Sequence, residues 1–281
     1  MTDDVVITGA GAVIAVEDAE AGLPETVRSR GARAERVTRL VLGAGGAALD
    51  AAGLVATDGP ARPRVGVVVG TAFGCFLTND AYARRLDMGA AAASPRLFAA
   101  TVSNAAAGEL GIAYRLGGPA VTLTAGTVAG TAALGHASDI LRAGRADALV
   151  AGGADATGLG LKVWSMSGGF APGAPPTDAA AFVVLETAAG VQRRGGPVLG
   201  TILAYALGFG DREEVAARAL ADAGVGAGDV VRSVATSSHL LAAGGPHALR
   251  SALANAPRGG LVLVVDACPT GHAAALVARA A

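Results

Sequence analysis

Apolar, strand-like runs alternate with Ala-rich helical stretches along almost the whole chain, and this rhythm restricts the fold more than any other feature. Asp4–Gly9 reads as a buried strand closed by a Gly9-Ala10-Gly11 turn. Glu35–Gly53 carries helical periodicity and stops at Gly53. Arg64–Gly70 reads as a second strand, and Asn104–Arg115 as a helix that ends near Gly117-Gly118-Pro119. Ala120–Thr124, Val128–Ala143 and Ala146–Gly152 then read strand, helix, strand. A turn-rich patch, Gly168–Asp178, precedes a further strand, Ala180–Glu186. A polar connector over Gln192–Pro197 is followed by a restart: strand Val198–Leu207, helix Arg212–Ala223, strand Val230–Ala235 and helix His247–Asn255. Two closing strands, Leu261–Asp266 and Ala273–Ala278, flank a Cys268-Pro269-Thr270-Gly271 turn. Strands separated by helices imply an α/β fold with mostly parallel sheets. The restart divides the chain into two related halves, 1–190 and a shorter 191–281, with no repeat of solenoid period.

Composition narrows the function classes. Of 281 residues, 52 % are hydrophobic and only 4 % aromatic, with 42 glycines, so the core is built from small, closely packed side chains. So apolar a chain offsets its ordering entropy by burial, which excludes disorder. The longest apolar stretch, Ala146–Ala156, carries Asp147 and Asp155 and is shorter than the roughly 20 residues of a membrane span. The acidic start, Met1-Thr2-Asp3-Asp4, is unlike a secretory signal, so a cytoplasmic location is expected. A net charge of −1 offers no bulk attraction to nucleic acid. Two cysteines, Cys75 and Cys268, argue against a disulfide framework and against a cysteine metal site. Either is a candidate reactive thiol, though a buried, inert cysteine is commoner. Lys162 is the only lysine.

Several motifs dissolve on inspection. Gly9-Ala10-Gly11 lacks the third glycine and the following helix of a dinucleotide fingerprint, so no cofactor is expected. His136, His239, His247 and His272 stand at no metal-ligand spacing. Asp139 and Arg142 are spaced for a surface pair on one helix. Arg28, Arg30, Arg33, Arg36 and Arg39 form a basic cluster that reads first as a solvated face.

The decisive stretch is Val121–Ala154, a strand, a sharp Ala125-Gly126-Thr127 turn, a helix, a turn and a strand. The turn sets Thr127 at a helix N-terminus, where anions are stabilised and thiol pKa values fall. Val128-Ala129-Gly130, Gly135-His136-Ala137 and Ala151-Gly152-Gly153-Ala154 resemble, in register and without a gap, the nucleophile region of the beta-ketoacyl synthases. Val5–Gly9, Ser94-Pro95, Asn104–Gly108, Gly117–Pro119, Phe182–Glu186, Arg194-Gly195 and Leu261–Ala275 extend that resemblance over nearly the whole chain. The resemblance implies a thiolase-like fold, two related βαβαβ halves with stacked sheets and layered helices, the second half shortened.

The resemblance also shows what is missing. In its register Thr127 occupies the place of the nucleophilic cysteine. A threonine needs a dedicated base, and His136, nine residues along the helix, is about 13 Å away. Ser233–Gly245 matches either of the family's two histidine motifs: the first sets the histidine near Ser237, the second fits His239-Leu240-Leu241 without the expected lysine. His239 is thus a possible remnant histidine, and no residue is assigned as catalytic. Cys268-Pro269-Thr270-Gly271 stands where active members carry an aromatic Gly-Phe-Gly-Gly gate. Residues that act as a catalytic unit fail as a unit. The resemblance therefore implies a non-catalytic partner, like the chain-length factors of type II polyketide synthases and the compact ones of polyene pathways. Its expected partners are a catalytic ketosynthase, as a heterodimer, and through it an acyl carrier protein bearing the growing chain. Phe98, Thr101, Val102, Asn104, Ala105, Thr124, Gly126 and Thr127 are the candidate tunnel and interface residues. Phe98, Thr101, Val102 and Ala105 are expected to share one helical face. The rivals are an active acyltransferase using Thr127 or Cys75, a chain-priming decarboxylase, and a purely structural partner in a synthase complex.

Overall fold

A computed structural model describes residues 4–20, 23–167, 175–236 and 238–281. Its elements, in chain order, begin with β1 (Val5–Ile14), α1 (Glu25–Gly31), α2 (Arg36–Ala51), β2 (Val65–Thr71) and α3 (Phe76–Asp87). Then come α4 (Pro95–Ala99), α5 (Ala105–Ala113), β3 (Ala120–Thr124), α6 (Ala129–Arg142), β4 (Ala148–Asp155), α7 (Leu159–Ser167) and β5 (Ala179–Thr187). The remainder is α8 (Ala188–Arg194), β6 (Gly200–Phe209), α9 (Arg212–Asp222), β7 (Val230–Ala235), α10 (Gly244–Asn255), β8 (Leu261–Ala267) and β9 (His272–Ala280). The expected division at residue 190 falls inside α8.

Among the described residues the strands lie in the order β3-β2-β4-β5-β1-β6-β9-β8-β7. This order is a repeat. β6, β9, β8 and β7 follow one another as β1, β5, β4 and β2 do, with the same antiparallel, antiparallel, parallel pairing. β3 has no counterpart, so the second half is shorter by one strand and β7 is left as an edge. The two half-sheets meet through a short ladder, Val5–Ile7 against Gly200–Ile202. Beyond it they part around α6 and α10, which touch strands of both halves and each other. α2 and α5 cover the outer face of the first half-sheet, and α9 covers that of the second. The layers are therefore helix, sheet, helix, sheet, helix. The inner core joins Leu134, Leu149, Leu185, Ile202, Leu249, Val264 and Leu276.

Small residues make this layering possible. β1 continues to Ile14, so the turn expected at Gly9-Ala10-Gly11 is not there. A Cβ on Gly9 or Gly11 would overlap the carbonyl oxygen of Ala48 or Ala44 on α2, so these glycines let a helix lie directly on the strand. α6 meets α10 and the turn ahead of it in the same way: a Cβ on Gly130 would overlap the carbonyl of Ala242, just before α10, and one on Gly245 of α10 the Thr131 hydroxyl of α6.

Another expectation is corrected by polar partners. Asp139 and Arg142 do not pair; Asp139 accepts from the Tyr205 hydroxyl, and Arg142 donates to the carbonyls of Ile202 and Leu203. The basic cluster lies at the surface as expected, with Arg28, Arg33 and Arg36 exposed, and Arg28, Arg30, Arg36 and Arg39 pair there with Glu25, Glu109, Asp178 and Glu20. The turn-rich patch falls largely on 168–174, outside the described residues. No helix among the described residues is long and apolar enough to cross a membrane.

Candidate functional site

β3 ends at Thr124, Gly126 takes the left-handed conformation at φ 60°, and a short turn of 3-10 helix, Gly126–Val128, leads into α6. The second half repeats this elbow. Leu241 also has a positive φ, 49°, and like Gly126 stands three residues ahead of its helix, here α10. A leucine in that conformation is strained, and its burial at 1 % exposure holds it there.

A buried carboxylate braces each elbow. Asp155 ends β4 and accepts from the Thr71 hydroxyl at 2.7 Å and from the backbone N–H of Ala72, Phe73 and Ala242. It thereby ties the ends of β2 and β4 to the second elbow. Asp266 occupies the matching place on β8 and accepts from the Thr236 hydroxyl at 2.6 Å and the Thr131 hydroxyl at 2.8 Å. Burial pushes Asp155 up from the ordinary carboxylate range against those hydrogen bonds. Burial likewise pushes Asp266 up to about 6, against its two hydroxyl donors. The sequence reading met Asp155 and Asp266 only as residues of strands and gave neither a role; the signal available was a carboxylate closing each of two otherwise apolar strands.

Thr127 is buried at 1 % exposure, and its hydroxyl donates to the Ala267 carbonyl at 3.2 Å. The group facing the elbow is Cys268, from the turn between β8 and β9. A Cβ on Gly126 would lie 2.6 Å from its sulfur, so glycine is required there twice over, by φ and by space. Burial raises the Cys268 thiol, but hydrogen bonds from the hydroxyl and backbone of Thr270 and from the backbone of Thr127 outweigh it and bring the thiol below its usual value. Thr270 donates to the sulfur at 3.0 Å, and its oxygen lies 3.1 Å from His272 Nδ1. Cys75, the other free thiol, donates to the Thr101 carbonyl at 2.9 Å.

His239 lies in the second elbow, half-buried, with its carbonyl accepting from the Thr177 N–H. Ser237 lies outside the described residues. His247 follows in α10; burial, then the charges of Arg250 and His239, lower its pKa. Among the described residues no group of three or more His, Cys, Asp or Glu is placed to hold a metal.

The remaining candidates do not form one helical face. Phe98 belongs to α4, Ala105 opens α5, and Thr101, Val102 and Asn104 lie in the break between them. Ser94-Pro95 starts α4 as a cap and first-turn proline, which explains why the preceding helical period does not run through. Phe98 and Val102 are exposed at 60 % and 52 %, and Phe98 packs against Tyr82. Thr124 sits exposed at the end of β3, whose outer edge has no strand beside it among the described residues. Val102 and Ala105 meet near Cys75, and Ala105 also reaches a cleft of about 640 Å³ bounded by Arg30, Arg33, Arg96 and Glu109. That cleft holds none of the elbow residues.

Comparison with known proteins fits this geometry. The family profile described as "Beta-ketoacyl synthase, N-terminal domain" matches residues 3–181. A 3-oxoacyl-[acyl-carrier-protein] synthase 2 of Vibrio harveyi is 35 % identical over 123 residues, 43 % of this chain and 29 % of that enzyme. The enzyme of the same name from Vibrio cholerae is 33 % identical over 123 residues, 43 % of this chain and 30 % of its own length. The matched stretch thus spans less than a third of either relative. Among solved structures, a chain of the ishigamide ketosynthase/chain length factor superposes with a TM-score of 0.81 at 23 % identity, covering 99 % of both chains. A beta-ketoacyl synthase from Burkholderia phymatum gives 0.82 at 18 % identity, over 99 % of this chain and 100 % of that one. A chain of a type II polyketide synthase ketosynthase in complex with its acyl-carrier protein gives 0.77 at 17 % identity, over the whole of both. The shared arrangement is the thiolase-like fold expected from the sequence.

Proposed function

The chain belongs to the beta-ketoacyl synthase family, and on that premise we propose that it is a non-catalytic, chain-length-factor-like subunit of a polyketide or fatty-acid synthase. The observation that carries this reading is Thr127. It stands where the family's nucleophilic cysteine would be, and its hydroxyl is bonded to the Ala267 carbonyl rather than to a general base. His239 is the one remnant of the histidine motifs, and it precedes α10, the repeat of α6. That position favours the second motif over the first for Ser233–Gly245.

The partner in this reading is an active ketosynthase, joined along β3 and the Phe98–Ala105 segment as a heterodimer in the cytoplasm. The partner's cysteine holds the growing chain, delivered by an acyl carrier protein. Phe98, Thr101, Val102, Asn104, Ala105, Thr124, Gly126 and Thr127 form this subunit's share of the interface and tunnel, and the depth of that tunnel limits elongation. The exposed apolar surface of Phe98 and Val102 and, among the described residues, the unpaired edge of β3 support this pairing. So does the likeness to a ketosynthase/chain length factor of similar chain extent.

Co-expression with the ketosynthase encoded beside it, followed by native mass spectrometry, tests the reading. The expected result is a one-to-one heterodimer. A stable homodimer that ignores the ketosynthase and condenses acyl and malonyl thioesters alone would overturn it.

A further inference from the structure

The first elbow lacks its own thiol, yet a thiol from elsewhere in the chain is docked on it. The Thr270 hydroxyl donates to Cys268 Sγ at 3.0 Å, and the backbone N–H groups of Thr270 and Thr127 turn towards the same sulfur, while the Thr127 hydroxyl gives its proton to the Ala267 carbonyl. A neutral thiol is a weak acceptor, whereas a thiolate is a strong one, so this surround is built for the ionised sulfur. The Thr270 hydroxyl has one proton, and in the structure it points to sulfur. The 3.1 Å contact between Thr270 Oγ1 and His272 Nδ1 is then a hydrogen bond donated by the imidazole. Thr270 thus links the sulfur to the imidazole through a single hydroxyl. Phe209 packs edge-on against the His272 ring with centroids 5.4 Å apart, which fixes its orientation. The sulfur lies just beneath the surface: Cys268 is 5 % exposed, while Ala267, Pro269, Thr270 and His272 around it are all exposed.

We propose that Cys268 is an acyl-accepting nucleophile that exchanges with thioesters, with Thr270 relaying its proton to His272. Cys268 Sγ bonds to the thioester carbonyl carbon, and the bond from that carbon to the departing sulfur breaks. The proton that leaves Cys268 passes through Thr270 to His272 and from there to the departing thiolate, leaving a free thiol and an S-acyl Cys268. No oxidant or reductant enters. The step forms a thioester from a thioester and needs no decarboxylation, so it is separate from condensation and from the partner reading above.

The probe is hexanoyl-N-acetylcysteamine, incubated with the full chain and followed by intact-mass spectrometry and peptide mapping. One hexanoyl group is expected on Cys268, absent in Cys268→Ser and retained in Cys75→Ser. Thr270→Val and His272→Ala keep the sulfur and lie on an exposed turn; each should slow the modification roughly 10- to 100-fold at unchanged melting temperature. The proposal is overturned if the wild-type chain takes no acyl group, if the group maps to Cys75 or Thr127, or if both relay variants are modified at the wild-type rate.

Discussion

Asp266 is 1 % exposed and its carboxyl titrates near pH 6, far above an unfolded aspartate near 3.9. Its native form binds the proton more tightly than its unfolded form. The stability it contributes is therefore complete below about pH 4 and is lost as pH rises through about 6. A shift of this size corresponds to about 3 kcal/mol. Urea unfolding of the wild type should weaken between pH 4 and 7, with Asp155 adding a slope of the same sign. Asp266→Asn keeps an acceptor for Thr131 and Thr236 but cannot ionise, so its profile should be flatter by that amount. Parallel profiles for the two proteins would remove Asp266 as the source. Neither carboxylate was legible in the sequence, because what buries them is contact between halves: Thr131 and Asp266 are 135 residues apart. The same holds for Cys268 and Thr127, which nothing local connects.

At the scale of elements, periodicity carried most of the fold and failed where glycine has two meanings. β3, β7 and the body of α6 lie where the apolar pattern set them, because their ends carry ordinary stop signals such as Gly144 at φ 66°. Gly9-Ala10-Gly11 reads identically as a turn or as a strand under a close helix, and only the position of α2 decides between them. The Phe98–Ala105 spacing also satisfies a helical period that the chain does not follow. The glycine crossing of α6 and α10 is the tightest joint between the halves. Gly130→Ala inserts a methyl group against the Ala242 carbonyl, a backbone atom that cannot rotate away. A loss of about 3 kcal/mol is expected in denaturant unfolding. Gly108→Ala, in the helix α5 with open space at its Cβ, should instead be neutral or slightly stabilising. Similar midpoints for the two variants would show that the crossing is looser than described. Ala105→Trp adds bulk where Val102 and Ala105 meet beside Cys75. In a reconstituted complex it should shorten the acyl products, and unchanged product length would remove Ala105 from the tunnel wall.

The whole molecule ends in two unlike sheet edges. β7 is the edge left by the missing counterpart of β3; a register shift between Val230 and Arg232 and the exposed Arg232 side chain make it a poor template for another strand. β3 carries no charged residue and has exposed Phe98 and Val102 on the same half of the chain. In the proposed pairing the uncharged edge is the one that joins the partner. Side chains already in solvent support the monomer little, so Phe98→Asp with Val102→Asp should change unfolding free energy by no more than about 0.5 kcal/mol for each substitution. Burying two carboxylates in an apolar interface without partners is costly, so the same variant should weaken association with the ketosynthase at least about 100-fold in a titration by mass photometry. Full-strength association would move the interface away from this edge, and loss of monomer stability would mean that these side chains belong to the subunit's own core.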